Sequence, residues 1–184
     1  TDINVDIGGE ILVTGYFYGE ISFSGGQGNP PSIIANTNSG FHYEGFFAKA
    51  DPMGNWLWAN SFSTLVNGSG EYSVTSGIEI DMGGDVFVTG EFQGDTDFGC
   101  FSLNVSNTQV FAAKYSGMTG SLDWVVSCGG IGTNRIIDSA VTQTGGIKLA
   151  TISDGFAQWS TSSYVAVGTL DAVIVELDGT GGVL

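Results

Sequence analysis

GGDVFVTGEFQGDTDFG, residues 83–99, decides the fold, because the chain has already written nearly the same phrase at residues 8–25, GGEILVTGYFYGEISFSG. Gly9-Glu10-Ile11-Leu12-Val13-Thr14-Gly15 aligns with Gly84-Asp85-Val86-Phe87-Val88-Thr89-Gly90. Further along, Phe46-Phe47-Ala48-Lys49 aligns with Phe111-Ala112-Ala113-Lys114. The two offsets differ, and the extra residues of the first copy fall in the Gly-, Pro- and Asn-rich segment 25–40, which reads as an inserted loop. A third, eroded copy begins at Gly145-Gly146-Ile147-Lys148-Leu149-Ala150-Thr151. It continues at Ala172-Val173-Ile174-Val175-Glu176-Leu177-Asp178, with Glu176 in the lysine position. The underlying period is about 60–65 residues, the size of one supersecondary unit that must stack on its neighbours to bury a core.

Inside each copy the pattern is that of strands. Val86, Val88, Gly90 and Phe92 alternate with other residues, as do Ile11, Val13, Gly15 and Phe17, so each set lines one face of a strand. Glycine recurs in that face at Gly15 and Gly90, where a missing side chain lets a neighbour come close. The second copy divides into four β segments, 73–81, 86–92, 110–115 and 122–127. Met82-Gly83-Gly84-Asp85 and Ser116-Gly117-Met118-Thr119-Gly120 separate them as turns. No helical period is sustained. The expected fold is all-β, with β-propeller-type repeats forming about three four-stranded antiparallel blades. Residues 1–184 form one repeat region, with approximate repeats 1–68, 69–130 and 131–184. Closed propellers usually need at least four blades, so a segment of a larger propeller is expected. Completion by further blades in a homo-oligomer is the alternative.

These phrases resemble the bacterial β-propeller repeat of the SBBP type. The first copy contributes Thr14, Gly15, Lys49, Asp51, Gly54 and Trp58 to that pattern, and the second Thr89, Gly90, Lys114, Gly120 and Trp124. The third copy lacks Thr-Gly, the lysine and the tryptophan. The resemblance implies an exported or cell-surface bacterial protein whose repeats serve as scaffold and binding module more than as enzyme. The segment from Lys114 to Trp124 also resembles the tryptophan-docking motif of quinoprotein propellers, a likeness of packing that implies no quinone cofactor.

Composition narrows the partners. Nineteen Asp and Glu stand against four Lys and Arg, a formal charge of −15. Phosphate binding needs clustered cations, so nucleic acid is excluded as a partner, and an anionic membrane surface is disfavoured. No apolar run is long enough for a membrane helix, so no membrane insertion is expected. The chain shows no signal peptide at Thr1 and reads as a mature or excised piece. Cys100 and Cys128 leave both a disulfide and two free thiols open.

Candidate sites are few. Trp56, Trp58 and Trp124 could stack on sugar rings, but aromatics repeated at matching positions read first as packing between blades. Trp159 falls outside the repeat pattern and is the candidate exposed binding aromatic. His42, the sole histidine, stands at the edge of the inserted loop as a second candidate contact, and alone it cannot build a typical zinc site. Asp95-Thr96-Asp97 sets two carboxylates on one face. Calcium takes roughly six to eight oxygens, so only weak calcium binding is considered and no cofactor is expected. Asp51-Pro52-Met53-Gly54-Asn55 reads as a hairpin turn of a kind that also decorates sialidases, yet Arg135 is the only arginine.

No catalytic residue is assigned. The expected role is an extracellular or cell-surface scaffold with a structural, adhesive, or protein- or glycan-binding function, and the inserted loop is the first place to seek a contact. One alternative is a polysaccharide-acting enzyme domain using paired carboxylates. Another is a filament or coat subunit that assembles through blade edges.

Overall fold

In the computed structural model, residues 1–24, 32–34, 42–65, 70–160 and 162–184 are described; most of the inserted loop 25–40 lies outside them. The described residues are all-β, in antiparallel sheets, with no helix. The strands in chain order are β1 (Asp2–Val5), β2 (Ile11–Phe17), β3 (Glu20–Ser22), β4 (Ser32–Ile34), β5 (Glu44–Ala50), β6 (Trp56–Ser61), β7 (Ser63–Leu65) and β8 (Tyr72–Ile80). Then come β9 (Val86–Asp97), β10 (Ser102–Tyr115), β11 (Leu122–Gly129), β12 (Asn134–Val141), β13 (Ile147–Ser153), β14 (Phe156–Trp159), β15 (Ser162–Val165) and β16 (Asp171–Leu177).

Each sequence copy forms one antiparallel up-and-down unit. The first is β1-β2-β5-β6, the second β8-β9-β10-β11, and the third the three-stranded β12-β13-β16. Leu177 pairs with Val183 in an isolated bridge beside β16, and the Leu184 amide donates to the Glu176 carbonyl.

Five turns, those after β1, β5, β8, β12 and β16, share one chemistry. Asp6 Oδ1 accepts from the amides of Gly8 and Glu10, Asp51 Oδ1 from Met53 and Asn55, Asp81 Oδ1 from Gly83 and Asp85, and Asp178 Oδ1 from Thr180 and Gly182. Thr142 Oγ1 does the same for Gly146. The fourth residue of each turn has positive φ, near +80° to +87°, which is why it is always glycine: Gly9, Gly54, Gly84, Gly145 and Gly181. The predicted Asp51–Asn55 turn is one of this set.

The units stack so that the middle one is buried on both faces. Period-2 alternation sends its residues to two cores in turn. Val86, Val88, Phe111, Ala113 and Tyr115 join Leu12 and Phe47 of the first unit, together with Ile78, Phe62, Phe92 and Phe98. Phe87, Val110, Ala112 and Cys128 face the other way, into Ile136, Ile147, Leu149, Val175 and Leu177 of the third. Both cores are interfaces between units, so no unit owns a core of its own.

The segment between the second and third strands of each unit differs most from expectation. The second copy's strands were expected to end at 92 and restart at 110. Instead β9 and β10 run on as a long ribbon, and β7, from the first unit's connection, pairs with its Asp95–Asp97 end. In the third copy the corresponding segment forms the β14–β15 hairpin, and β14 pairs with β11 of the second unit. In both cases these extensions latch one unit to the one before it.

Candidate functional site

Of the repeat residues, Lys49, Trp58 and Trp124 bond across the junctions between units, whereas Lys114 and Thr14 are held within their own units. Trp58 Nε1 donates to the Gly117 carbonyl at 3.2 Å, and Lys49 Nζ donates to the same oxygen at 2.9 Å while pairing with Glu10 at 2.7 Å. Trp124 Nε1 donates to the Gly179 carbonyl at 2.9 Å. Each tryptophan therefore docks on the last hairpin turn of the following unit. Lys114 lies 2.9 Å from Asp85 and 3.5 Å from Asp81, above the Phe87 ring. Burial works against its charge, but the two carboxylates prevail and hold its pKa above the usual lysine range. In the third unit Glu176 stands in the lysine position, and Lys148, at the place of Phe87, faces it across the strand pair at 3.0 Å. Thr14 Oγ1 donates to the Phe46 carbonyl at 2.6 Å, and Thr89 is buried in β9.

Two sequence expectations are corrected. Trp159 is not an exposed aromatic: at 5% exposure it lies in the core between the second and third units, because β14 leaves its own unit and sets Trp159 opposite Cys128. His42 is not a surface contact either. It is buried, with Nε2 3.4 Å from Glu44 Oε1, beneath the connection whose Thr64 amide also donates to that carboxylate. The cysteines are both free thiols. Cys100 is exposed, and burial pushes the Cys128 thiol up to about 12. Among the described residues, no group of three or more His, Cys, Asp or Glu is placed to hold a metal ion. No helix among them is long and apolar enough to cross a membrane.

Two clefts remain. The first, about 520 Å³, lies between the first and second units and is lined by Asn4, Asp6, Glu79 and Asp81. Glu79 is pushed up to about 7, first by burial and then by the Asp2 and Asp138 carboxylates, against a hydrogen bond from Asn4. Asp6 and Asp81 are already committed to their turns. A raised carboxyl makes folding cost more as it ionises. Stability contributed at Glu79 is therefore full below its unfolded value near 4.5 and declines as pH rises through about 7. Glu79→Gln will raise Tm at pH 8 and leave it nearly unchanged at pH 5. The gain at pH 8 is about 1–2 kcal/mol once solvent screening of this half-buried group is allowed for. Thermal melts of both proteins across that range check this; parallel curves would contradict it.

The second cleft, about 550 Å³, opens between the second and third units. Its wall is built by a break in β10: between Val105 and Gln109 the register with β9 shifts, which takes Asn107 and Thr108 out of the ladder. Tyr72, Glu91 and Gln93 stand on β8 and β9 beside it, and Asn134 and Arg135 open β12 across it. Thr108 Oγ1 donates to Gln93 Oε1 at 3.1 Å and lies 3.3 Å from the Tyr72 hydroxyl, which is left to act as donor. Glu91 is pushed up by burial and drawn back by Arg135, whose Nε is 3.9 Å away. Asn134 is 4% exposed, and neither Oδ1 nor Nδ2 of its side chain has a hydrogen-bond partner. An orphaned buried amide costs stability unless something outside the chain meets it.

Neither the family models nor the curated proteins compared with the chain give a match.

Proposed function

We propose that the chain is a β-propeller-type binding scaffold of SBBP-like blade units, displayed outside the cell, which engages a glycan or protein partner. One observation carries the reading. The same tryptophan-to-turn hydrogen bond recurs at both junctions, Trp58 to Gly117 and Trp124 to Gly179, fixing successive units in one head-to-tail relation. Residues spent this way build a rigid array, and the polar cleft between the second and third units is held open on it.

Catalysis by paired carboxylates has weaker support. Glu91 is the one carboxylate lining that cleft; of the acids around Glu79, Asp6 and Asp81 are tied to turn amides, and Asp2 and Asp138 accept from the strand amides of Ile3, Ile78 and Ser139. The test is retention against turnover. The chain is immobilised and exposed to polysaccharides and their oligomers, and both bound ligand and new reducing ends are measured. Saturable retention without new reducing ends is expected. Release of reducing ends that Glu79→Gln abolishes would replace the scaffold with an enzyme.

A further inference from the structure

The inference rests on the scaffold reading and names a partner for the first cleft. We propose that the cleft between the first and second units seats a lysine side chain of a basic, amphipathic protein segment, with Glu79 as its counter-ion. The cleft opens where β1, β8 and β12 end, at Val5, Ile80 and Val141. Its acceptors are open. Asn4 gives its amide hydrogens to the Ile78 carbonyl at 3.3 Å and to Glu79 Oε2 at 2.9 Å. Asn4 Oδ1 and Glu79 Oε1 are left to accept; among the described residues nothing donates to either, and both reach solvent.

The walls suit a lysine stem. Besides the three strand ends, Ile7 and Met82 stand exposed at the mouth, on the turns after β1 and β8. A methylene stem lies along such a surface while its ammonium reaches the carboxyl. An ammonium is a compact charge that suits single oxygens. A guanidinium fork needs both oxygens of a carboxylate, and Oε2 is taken. Charge selects a cation. Among the described residues no Lys, Arg or His lines the cleft, Asp6 and Asp81 stand beside Glu79, and the chain carries −15 overall. The partner is a protein segment because the apolar surface runs on past the cleft. Met53 and Met118 are exposed on the adjoining turns of the same rim, where Pro52 lies against Gly9 and Gly117 against Gly84. Adaptable methionines on an open surface suit a peptide partner.

The experiment is a titration of the isotopically labelled chain at pH 8 with N-acetyl-Leu-Lys-Leu-amide, followed by the Asn4 side-chain amide and Glu79 backbone amide resonances. Both are expected to move, with saturation in the millimolar range or tighter. The same peptide with norleucine for lysine, which keeps the stem and lacks the charge, should bind about tenfold more weakly or worse. The charged groups facing Glu79 are Asp2 on β1, Asp6 and Asp81 on the turns, and Asp138 on β12; all are acids, and burial adds to their resistance to its ionisation. Pairing with an ammonium needs the ionised form, so affinity should fall about tenfold or more from pH 8 to pH 5. Glu79→Gln should weaken binding at pH 8 by about tenfold and abolish that pH dependence. Ile7→Ser, on an exposed turn, gives a second and smaller loss of about threefold.

Equal binding of the norleucine peptide, or unchanged binding by Glu79→Gln, overturns the site. So does the absence of any response at Asn4 and Glu79; retention of polysaccharide by the immobilised chain would then leave the scaffold standing. Equal affinity for n-butylamine would mark a small-amine site and overturn the protein partner.

Discussion

Phe62→Ala will lower the free energy of unfolding by about 3–5 kcal/mol, the largest loss expected from any single truncation in this chain. Phe62 is fully buried and stands at the centre of the aromatic cluster between the first and second units. Its ring is stacked on Phe47 at 5.3 Å and meets Phe98, Phe111 and Tyr115 at 5.3, 5.1 and 6.3 Å. Truncation removes the transfer energy of the ring and leaves a cavity walled by other rings, which cannot collapse without leaving their own rotamers. The backbone bonds at this position, Phe62 N to the Gly45 carbonyl and Ser73 Oγ to the Phe62 carbonyl, do not depend on the ring and should persist. The loss should therefore appear as a lower urea midpoint at unchanged slope. Phe62→Leu should recover about half of it. Natural domains hold roughly 5–15 kcal/mol, so an alanine variant within about 1 kcal/mol of the parent would mean that the two units are not joined through this core.

Phe62 also marks where sequence stops informing. It lies just past β6, at the end of the first copy's phrase FFAKADPMGNWLWANSF, and nothing local distinguishes it from Phe98 or Phe101. The repeats themselves were legible. The alternation of Val86, Val88 and Phe111 against Phe87, Val110 and Ala112 is a local property, and it places strands and faces correctly. The lengthening of β9 and β10 was not legible. It depends on β7 arriving beside Asp95–Asp97, a long-range pairing that leaves no periodic trace. Trp159 misled for the same reason: what buries it is the choice of β11 as the neighbour of β14. Of the cleft residues, only Arg135 stands out in the sequence, as the sole arginine, and none reads as a binding residue. A signal did exist in Ser106-Asn107-Thr108, three polar residues that interrupt the pattern of β10 where its register breaks. Asn134 carried none, because an amide opening a strand looks the same whether its partner is water, backbone or ligand.

The paired glycines give the second large effect, because structure separates two residues that sequence makes equivalent. Gly15 pairs with Phe46, Gly90 with Phe111, and the third unit sets Thr151 opposite Val173. Where the partner is phenylalanine the facing residue is glycine; where it is valine a threonine fits. At Gly15 an added Cβ would meet the Phe46 ring at 3.0 Å and Thr1 Cγ2 at 3.6 Å, both side-chain atoms that can give way. At Gly90 it would meet the Val74 carbonyl oxygen at 2.1 Å as well as the Phe111 ring at 2.7 Å. A carbonyl held in the β8–β9 ladder cannot move without breaking the strand pairing that seats the second unit. Gly90→Ala is therefore expected to cost about 3 kcal/mol, and Gly15→Ala less than about 1 kcal/mol. Adding Phe111→Val to Gly90→Ala should restore little, since it relieves the ring and not the backbone. Denaturant titration of the three variants decides the matter. Equal losses at Gly15 and Gly90, or full rescue by Phe111→Val, would mean that the aromatic ring alone sets the demand for glycine and that β8 can yield.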